Sequence, residues 1–426
     1  MLGLVITYVL TYGGAALALY RPFYGVLSYI ALAILVPPKL WHWSVGVGNF
    51  SEIVAIAMII GWAFHGCSLQ FGKGRTTALL FSAFWVWSAA SYWASSRTEV
   101  GIEFVVIILK ILIPFLIGLA TAKSVADARL LAWTISLSVG FLALRENESY
   151  FQYGLQVGDN QTAHSLGLGA SVAFFFAFCQ QRLLFKLLLG GISILMAHAV
   201  MFHMSRGGML GLVVLGAFIA WFAFRTPKYL FLVAFGGLIV LTLAGDSVRE
   251  EFQSTFASEE VRDDSAQSRI ELWKDMWTET MKHPVLGLGP QHWQMVSASY
   301  GWPEGKQGHG TPQQLACELG MPGAILWLLM FLWTPWQLIR LPALQSDTLM
   351  TDIVFRSSVL MCASGLLSWF VMQLVANFYT VELPFYVLLL AAVFMKVTAA
   401  SPSIESATVV QVGRTPKRLF ELPTMT

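Results

Sequence analysis

Apolar stretches long enough to cross a lipid bilayer recur along almost the whole chain, and no other feature limits its fold as strongly. A transmembrane helix needs about 20 consecutive, mainly apolar residues. Only 12% of the residues are charged, whereas soluble domains contain about 25%. The sequence therefore predicts an all-α, polytopic membrane protein with about 12–13 transmembrane helices. The predicted spans lie near 2–19, 22–37, 51–66, 77–95, 102–121, 128–145, 164–180, 183–202, 207–225, 229–245, 322–340, 354–378 and 383–399.

Lysine and arginine are distributed unevenly over the connections between these spans. One alternate set of connections, together with the C-terminal tail, holds fifteen of them. The opposite set of short loops holds only four, which are Lys39, Arg97, Arg145 and Arg206. Because short cytoplasmic loops are enriched in these residues, the first set is predicted to be cytoplasmic and the second to face the opposite side.

The longest connection, 246–321, lies on the predicted extracytoplasmic side and carries twelve of the 24 acidic residues. Loops longer than about 15 residues are usually functional or disordered, and helical signals in this one predict a folded segment. The chain is therefore divided into N-terminal transmembrane helices (1–245), this large loop (246–321), C-terminal transmembrane helices (322–399) and a cytoplasmic tail (400–426).

The stretch SRIELWKDMWTETMKHP, residues 268–284, predicts a helix in the large loop. Ser268 and Glu271 have the spacing of a capping box. Arg269 would then lie in the first turn, where its guanidinium and free backbone N–H groups could bind one anion. The apolar face would either lie on the membrane surface or pack on other helices of the loop. Its members recur at helical spacing: Ile270, Trp273, Met276, Trp277 and Met281.

The stretch GHGTPQQLACELG, residues 308–320, predicts a second helix, with Thr311 and Gln314 as its capping box. His309 precedes this helix. The positive end of the helix dipole disfavours a protonated ring there, and a neutral imidazole is what a general base requires. The alternative is that His309 is a solvated loop residue.

Cationic side chains on the predicted outer face suggest an anionic ligand. Arg206 in MSRGG (204–208) and Arg145 in LALRENE both lie at the ends of apolar spans. The alternative is that an arginine at such a position is an ordinary membrane anchor. The planar fork of arginine donates two hydrogen bonds to phosphate. Several such arginines imply a ligand with two or more negative groups, and a lipid diphosphate has them.

Several other chemistries receive no support from the sequence. Nucleotide-binding glycine motifs and zinc-binding histidine motifs are missing, and the four cysteines show no metal-ligand spacing. Glu318 is a single candidate ligand or orienting group near His309. A net charge of +2 does not favour nucleic acid. We therefore predict no metal, no cofactor and no nucleic-acid partner.

Three motifs occur in a fixed order: SRGG, then SRIELWKDMW with HPVLGLG, then HGTPQQLACELGMPG. Together they resemble the O-antigen ligase and polymerase superfamily of membrane proteins. RPFYGVLSYIALAIL and FSEIVAIAMIIGWAF resemble in particular the O-glycosylation ligases associated with exosortase systems. The resemblance extends from about Arg21 to Phe394. One departure is Gly310, where the family usually has asparagine beside the histidine, and this removes a group that could position the acceptor.

The resemblance implies a GT-C-like glycosyltransferase in a bacterial inner membrane. It would transfer a preassembled glycan from undecaprenyl diphosphate to a hydroxyl acceptor on the periplasmic face, with inversion and without metal. His309 would be the catalytic base. The donor diphosphate would bind Arg206 and Arg269, with Arg145 as a further contact. The resemblance also assigns supporting roles to Glu318, Ser205 and Gly310.

The acceptor separates several alternatives. Lipid A–core is favoured, a protein acceptor would make the chain an O-oligosaccharyltransferase, and a second glycan would make it a polymerase. A transporter or flippase is the competing class, and a noncatalytic assembly scaffold is a third. Transporters carry charges near the membrane midplane. Here Lys110 is the only strong midplane charge and the polar residues concentrate outside the membrane, which argues against a transporter. Lys110 itself requires a partner or a cavity.

Overall fold

The computed structural model describes residues 2–154, 160–225, 264–340 and 353–399. These residues form helices joined by short connections, and no β-strand occurs among them. Within these described ranges, eight helices are long and apolar enough to cross a membrane. The prediction of an all-α, multi-pass membrane protein is therefore confirmed.

Thirteen helices of more than ten residues organise the described chain. The first seven are α1 (Leu2–Tyr20), α2 (Pro22–Leu35), α3 (Phe50–Phe64), α4 (Arg75–Ala94), α5 (Ile102–Thr121), α6 (Val125–Tyr153) and α7 (Asn160–Phe178). The others are α8 (Leu183–Phe202), α9 (Arg206–Arg225), α10 (Asp264–Lys282), α11 (Thr311–Ile339), α12 (Ile353–Gln373) and α13 (Leu383–Ala399). Twelve of them coincide with or overlap predicted spans or the predicted loop helix at 268–284, and α11 joins the predicted short helix to the span that follows it. The predicted span 229–245 lies outside the described residues.

The helix α6 extends beyond its predicted span, 128–145, at both ends, and it begins at Val125 because its start is well capped. The N–H of Asp127 donates to Ser124 Oγ at 3.3 Å, and the Asp127 carboxylate accepts from the N–H of Ser124 at 3.1 Å. Arg21 adds an ion pair to the same carboxylate at 2.7 Å. This capping box begins a helix of 29 residues, which extends beyond the apolar span into polar residues at its C-terminal end.

Helix α7 lies near the centre of the bundle and packs against α8, α9 and α12. Helix α13 is buried along most of its length, and α11 packs between α4 and α12. Small residues permit close approach: a side chain at Gly61 would collide with the backbone of Ala18, where α1 and α3 cross. Such small-residue contacts are the usual means of helix association in membranes.

The helix ends separate into two groups. Leu119 and Ala120, at the end of α5, accept hydrogen bonds from Lys396 Nζ near the end of α13, and Gly72 before α4 lies against the same lysine. At the opposite end, Thr311 at the start of α11 contacts the end of α12. These two groups match the cation-rich and cation-poor connections of the sequence.

Lys110 has an acidic partner. Its Nζ atom lies 2.8 Å from Glu52 Oε1 of α3, and its carbonyl accepts a hydrogen bond from Tyr29 Oη at 3.0 Å. The ion pair ties α5 to α3. The structure thus supplies the partner that the sequence required but did not identify.

Candidate functional site

The large loop has its own small core, in which α10 packs on the first turns of α11. Met276 is fully buried there and Trp273 packs against it. This confirms, for these two residues, the interpretation that the apolar face of α10 packs on other parts of the loop. The buried members of the cluster are Leu272, Met276, Trp293 and Cys317.

The other members of that apolar face point outward. Ile270, Trp277 and Met281 are 38%, 53% and 58% exposed. Exposed tryptophan on an amphipathic helix is typical of a membrane-surface contact. The predicted contact of α10 with the headgroup zone therefore applies to these three residues only, and it stays a prediction.

The predicted capping box at the start of α10 is wrong. The helix begins at Asp264, four residues before Ser268, so Ser268 is an interior residue. Arg269 consequently lies in the second turn, away from the free backbone N–H groups of the helix start. The predicted anion site built from Arg269 and those N–H groups is therefore not formed, and only the guanidinium itself can contribute to binding.

A break in α11 allows the HPVLGLG segment to form backbone hydrogen bonds with this helix. Gly320 has φ +71° and interrupts the helix, which leaves the carbonyls before it without helical partners. The N–H of Leu288 donates to Cys317 O at 3.0 Å, and that of Gly289 donates to Glu318 O at 2.8 Å. Gly287 also lies against this backbone at φ +69°. The glycines of this motif thus allow two backbones to touch.

His309 is held by its neighbours in an uncommon backbone conformation. Its φ is +49°, in the left-handed region that non-glycine residues seldom adopt. The carbonyl of Gly308 accepts from Trp273 Nε1 at 2.7 Å, and the N–H of Gly308 donates to Gln314 Oε1 at 2.8 Å. Such backbone conformations persist where surrounding contacts fix them, often at functional sites.

The surroundings of His309 favour a neutral imidazole. Partial burial lowers the pKa of the ring below its ordinary value, and the positive charges of Arg269 and Lys306 lower it further. The contribution of the dipole of the following helix stays a prediction. The structure therefore places the Arg269 charge near His309, as the motif order suggested.

Thr311 and Gln314 do not form the predicted capping box. Helix α11 begins after Gly310 without a side-chain cap. Gln314 instead bridges Gly308 to the buried carboxyl group of Glu318, which also accepts from Tyr379 Oη at 3.3 Å. Glu318 thus acts on the loop through Gln314, and it is a positioning residue in this arrangement.

Gly310 stands in a crowded position. A side chain there would collide with the amide oxygen of Gln313 and approach Trp273 Nε1 at 3.2 Å. The Gln313 Oε1 atom is buried and has no hydrogen-bond partner in the described structure. The amide of Gln313 therefore occupies the space that a larger residue beside His309 would take.

The glycines after Arg206 let α9 approach α7 and α12. Arg206 is the first residue of α9, and Ser205 Oγ accepts from the N–H of Gly208 at 3.2 Å. A side chain at Gly207 would collide with the ring of His164, and one at Gly211 would meet Met372 Sδ at 2.5 Å. The first turn of α9, which begins at Arg206, is thereby fixed beside the buried histidine of α7.

A buried polar chain connects this position to the His309 motif. Thr311 Oγ1 donates to Gln373 Oε1 at 2.8 Å, and the N–H of Phe378 donates to the same oxygen at 3.0 Å. The Gln373 amide nitrogen then faces His164 Nδ1 at 3.5 Å. A neutral His164 ring carries its proton on Nε2, the atom that faces Gly207.

Sequence patterns alone assign no role to His164 or Gln373. Each is a polar residue at the end of an apolar span, in NQTAHSLG and VMQLVANF, and that position was the available signal. His164 and Gln373 are only 1% and 0% exposed. Buried polar groups are normally hydrogen-bonded, so both residues are members of an internal network.

Replacement of Gln373 by leucine is expected to lower thermal stability in detergent. The N–H of Phe378 would lose its acceptor, at a cost of about 1–3 kcal/mol for a buried group left unpaired. The hydroxyl of Thr311 would keep a second acceptor, Ala376 O at 3.0 Å. Gln180→Leu is the control, since Gln180 at the other end of α7 makes one local bond, to Phe176 O at 3.2 Å. Equal melting temperatures for the two variants would contradict the network.

Arg145 lies in a different part of the predicted outer face. It forms an ion pair with Glu148, and its guanidinium is 5.9 Å from the ring of Trp43. Both Arg145 and Trp43 line a cavity of about 490 Å³ together with Lys39. The neighbouring Glu146 lies 3.3 Å from His203 Nε2, three residues before Arg206. Arg145 thus faces a separate cavity, which Glu146 and His203 connect to the start of α9.

The fold and the site together define a multi-pass membrane protein whose polar groups converge at one end of the helix bundle. Residues 191–328 match the family model described as O-Antigen ligase, which supports the predicted membership of the O-antigen ligase superfamily. The match supports a glycosyltransferase of the ligase or polymerase kind, with a polyprenol-linked glycan donor. Comparison with curated proteins found no match.

Proposed function

We propose that the protein transfers a preassembled glycan from undecaprenyl diphosphate to a hydroxyl group, with lipid A–core as the favoured acceptor. The reaction takes place on the periplasmic face of a bacterial inner membrane. One observation carries this proposal: His309, whose lowered pKa favours a neutral ring, lies close enough to Arg269 to be influenced by its charge. Both residues are in the region that matches the ligase family.

In the proposed reaction His309 takes the proton of the acceptor hydroxyl. The acceptor oxygen attacks the anomeric carbon of the glycan and forms the new glycosidic bond with inversion. The bond from that carbon to the diphosphate oxygen breaks, and undecaprenyl diphosphate leaves with the electron pair. Arg269 and Arg206 offset the negative charge that develops on the diphosphate, which is usually a large contribution to catalysis.

The cavity lined by Lys39, Arg145 and Trp43 suits the sugar or phosphate end of the donor. Its cations attract phosphate, and its aromatic ring can stack on a sugar. Apolar residues from α2 and α6, among them Leu35 and Leu142, form part of its wall, and the carboxyl groups of Glu146 and Glu382 also line it. We therefore keep Arg145 as a supporting donor contact in this proposal.

The test is transfer by the purified protein in nanodiscs, with undecaprenyl-diphosphate glycan as donor and EDTA present. Lipid A–core, a serine- and threonine-containing protein and a second glycan are offered separately. Transfer to the first identifies the favoured ligase, and transfer to the others identifies an oligosaccharyltransferase or a polymerase. Donor translocation without transfer to any acceptor would contradict the proposal and favour a flippase.

Lys306→Gln is expected to move the acidic limb of the pH–rate profile to higher pH. His309 must be neutral to accept a proton, so the rate falls as the pH drops through its pKa. That pKa lies below 6.5 partly because of the Lys306 charge, and removing the charge raises it. Rates measured from pH 4 to pH 8 test the shift. Lys274→Gln removes an exposed charge of the same loop and should leave the limb unchanged.

A further inference from the structure

A second cavity lies at the opposite end of the bundle from His309. It has a volume of about 590 Å³ and is bounded by the start of α4, the end of α11 and Met395 of α13. These helix ends belong to the cation-rich set that the sequence assigns to the cytoplasm. The cavity is therefore remote from the glycan-transfer site and independent of the function proposed for that site.

Three cations line this cavity without an acidic neighbour among the described lining residues. They are Lys73, Arg75 and Arg340. In the part of the chain that the structure describes, none of the three forms an ion pair, and Lys73 and Arg75 are exposed. An uncompensated group of three cations attracts an anion.

The aromatic residues of the cavity place it at the depth of lipid headgroups. Trp333 and Trp336 are 40% and 47% exposed. Exposed tryptophan in a membrane protein is enriched at the headgroup level. The Arg340 guanidinium lies 3.9 Å from the centre of the Trp336 ring, and this contact holds the charge at the cavity wall.

A buried acceptor adds a second requirement for the ligand. Gln337 lines the cavity, and its Oε1 atom is buried without a hydrogen-bond partner in the described structure. A buried acceptor without a donor is costly. A ligand that carries a hydroxyl group close to its phosphate would satisfy both Gln337 and the cations.

We propose that this cavity binds the headgroup of an anionic phospholipid of the cytoplasmic leaflet, with a hydroxyl-bearing headgroup such as phosphatidylglycerol preferred. Arg75 and Arg340 contact the phosphate, and Gln337 accepts from the headgroup hydroxyl. Basic pockets between transmembrane helices on the cytoplasmic side are a known form of lipid site.

The experiment is native mass spectrometry of the full-length protein, titrated with phosphatidylglycerol, phosphatidylmethanol or phosphatidylcholine. Phosphatidylmethanol has the same charge as phosphatidylglycerol but no headgroup hydroxyl. The variant Arg75→Gln/Arg340→Gln is compared with Arg182→Gln/Lys186→Gln, which removes two exposed cations of the same predicted face. Each variant is first shown to elute like the wild type in size-exclusion chromatography.

We expect Arg75→Gln/Arg340→Gln to weaken phosphatidylglycerol binding by on the order of tenfold and the control to leave it unchanged. Gln337→Leu should abolish the preference for phosphatidylglycerol over phosphatidylmethanol. Equal losses in both double variants would reduce the effect to general surface charge and overturn the proposal. Equal affinity for phosphatidylcholine would also overturn it. Competition by millimolar inorganic phosphate would identify a free-phosphate site instead of a lipid site.

Discussion

Replacing His309 is expected to reduce glycan transfer by about 10²–10⁴-fold, the usual contribution of a general base. The acceptor hydroxyl would have to lose its proton to water, while the donor would still bind its arginines. Two variants are needed, since His309 has φ +49°. His309→Ala removes the ring, and His309→Asn also removes it but keeps a residue type that tolerates left-handed backbone.

The measurement is the single-turnover rate of transfer, with donor binding measured separately. His283→Ala is the matched control, because His283 is another histidine of the large loop and its side chain is 51% exposed. We expect the control to transfer at the rate of the wild type. Transfer at the wild-type rate by both His309 variants would eliminate the base assignment, and a loss of donor binding would indicate a structural role.

The sequence predicted the helices because apolar runs of this length have few other solutions in a membrane. It also placed Arg269 near His309 through the order of the motifs, and the charge effect of Arg269 on His309 agrees. Lys110 was expected to have a partner, and Glu52 provides it. These features follow from local patterns or from elementary electrostatics.

The helix starts of the large loop were predicted less well, for a physical reason. A capping box is a local pattern, and tertiary contacts can take its side chains. Thr311 donates to Gln373, 62 residues further along the chain, and Gln314 bridges Gly308 to Glu318. Local spacing contains no information on a partner as distant as that of Thr311.

For the same reason, the sequence does not predict the polar chain that joins Thr311 to His164 through Gln373. His164 and Gln373 each look like an isolated polar residue in an apolar segment, and the sequence does not show that they face each other. The break at Gly320 is another example, since its role depends on the backbone of Leu288 and Gly289. Buried polar groups are therefore the features that required the structure.

Replacing Arg269 is expected to have the second large effect, a loss of about 10²–10³-fold in kcat/KM. The guanidinium offsets charge on the leaving diphosphate, and glutamine cannot. Arg269→Lys should recover only part of the activity, because an ammonium group does not form the paired hydrogen bonds of arginine. Arg97→Gln is the control, an exposed arginine of the predicted outer face.

Arg269 has a second expected effect that a purely structural residue would not have. Its positive charge lowers the pKa of His309, so Arg269→Gln should raise that pKa and move the acidic limb of the pH–rate profile upward. Arg269→Lys keeps the charge and should leave the limb in place while kcat/KM falls. If Arg269→Gln loses activity but the acidic limb of its pH–rate profile does not move, Arg269 does not influence His309. That result would contradict a common site for the two residues.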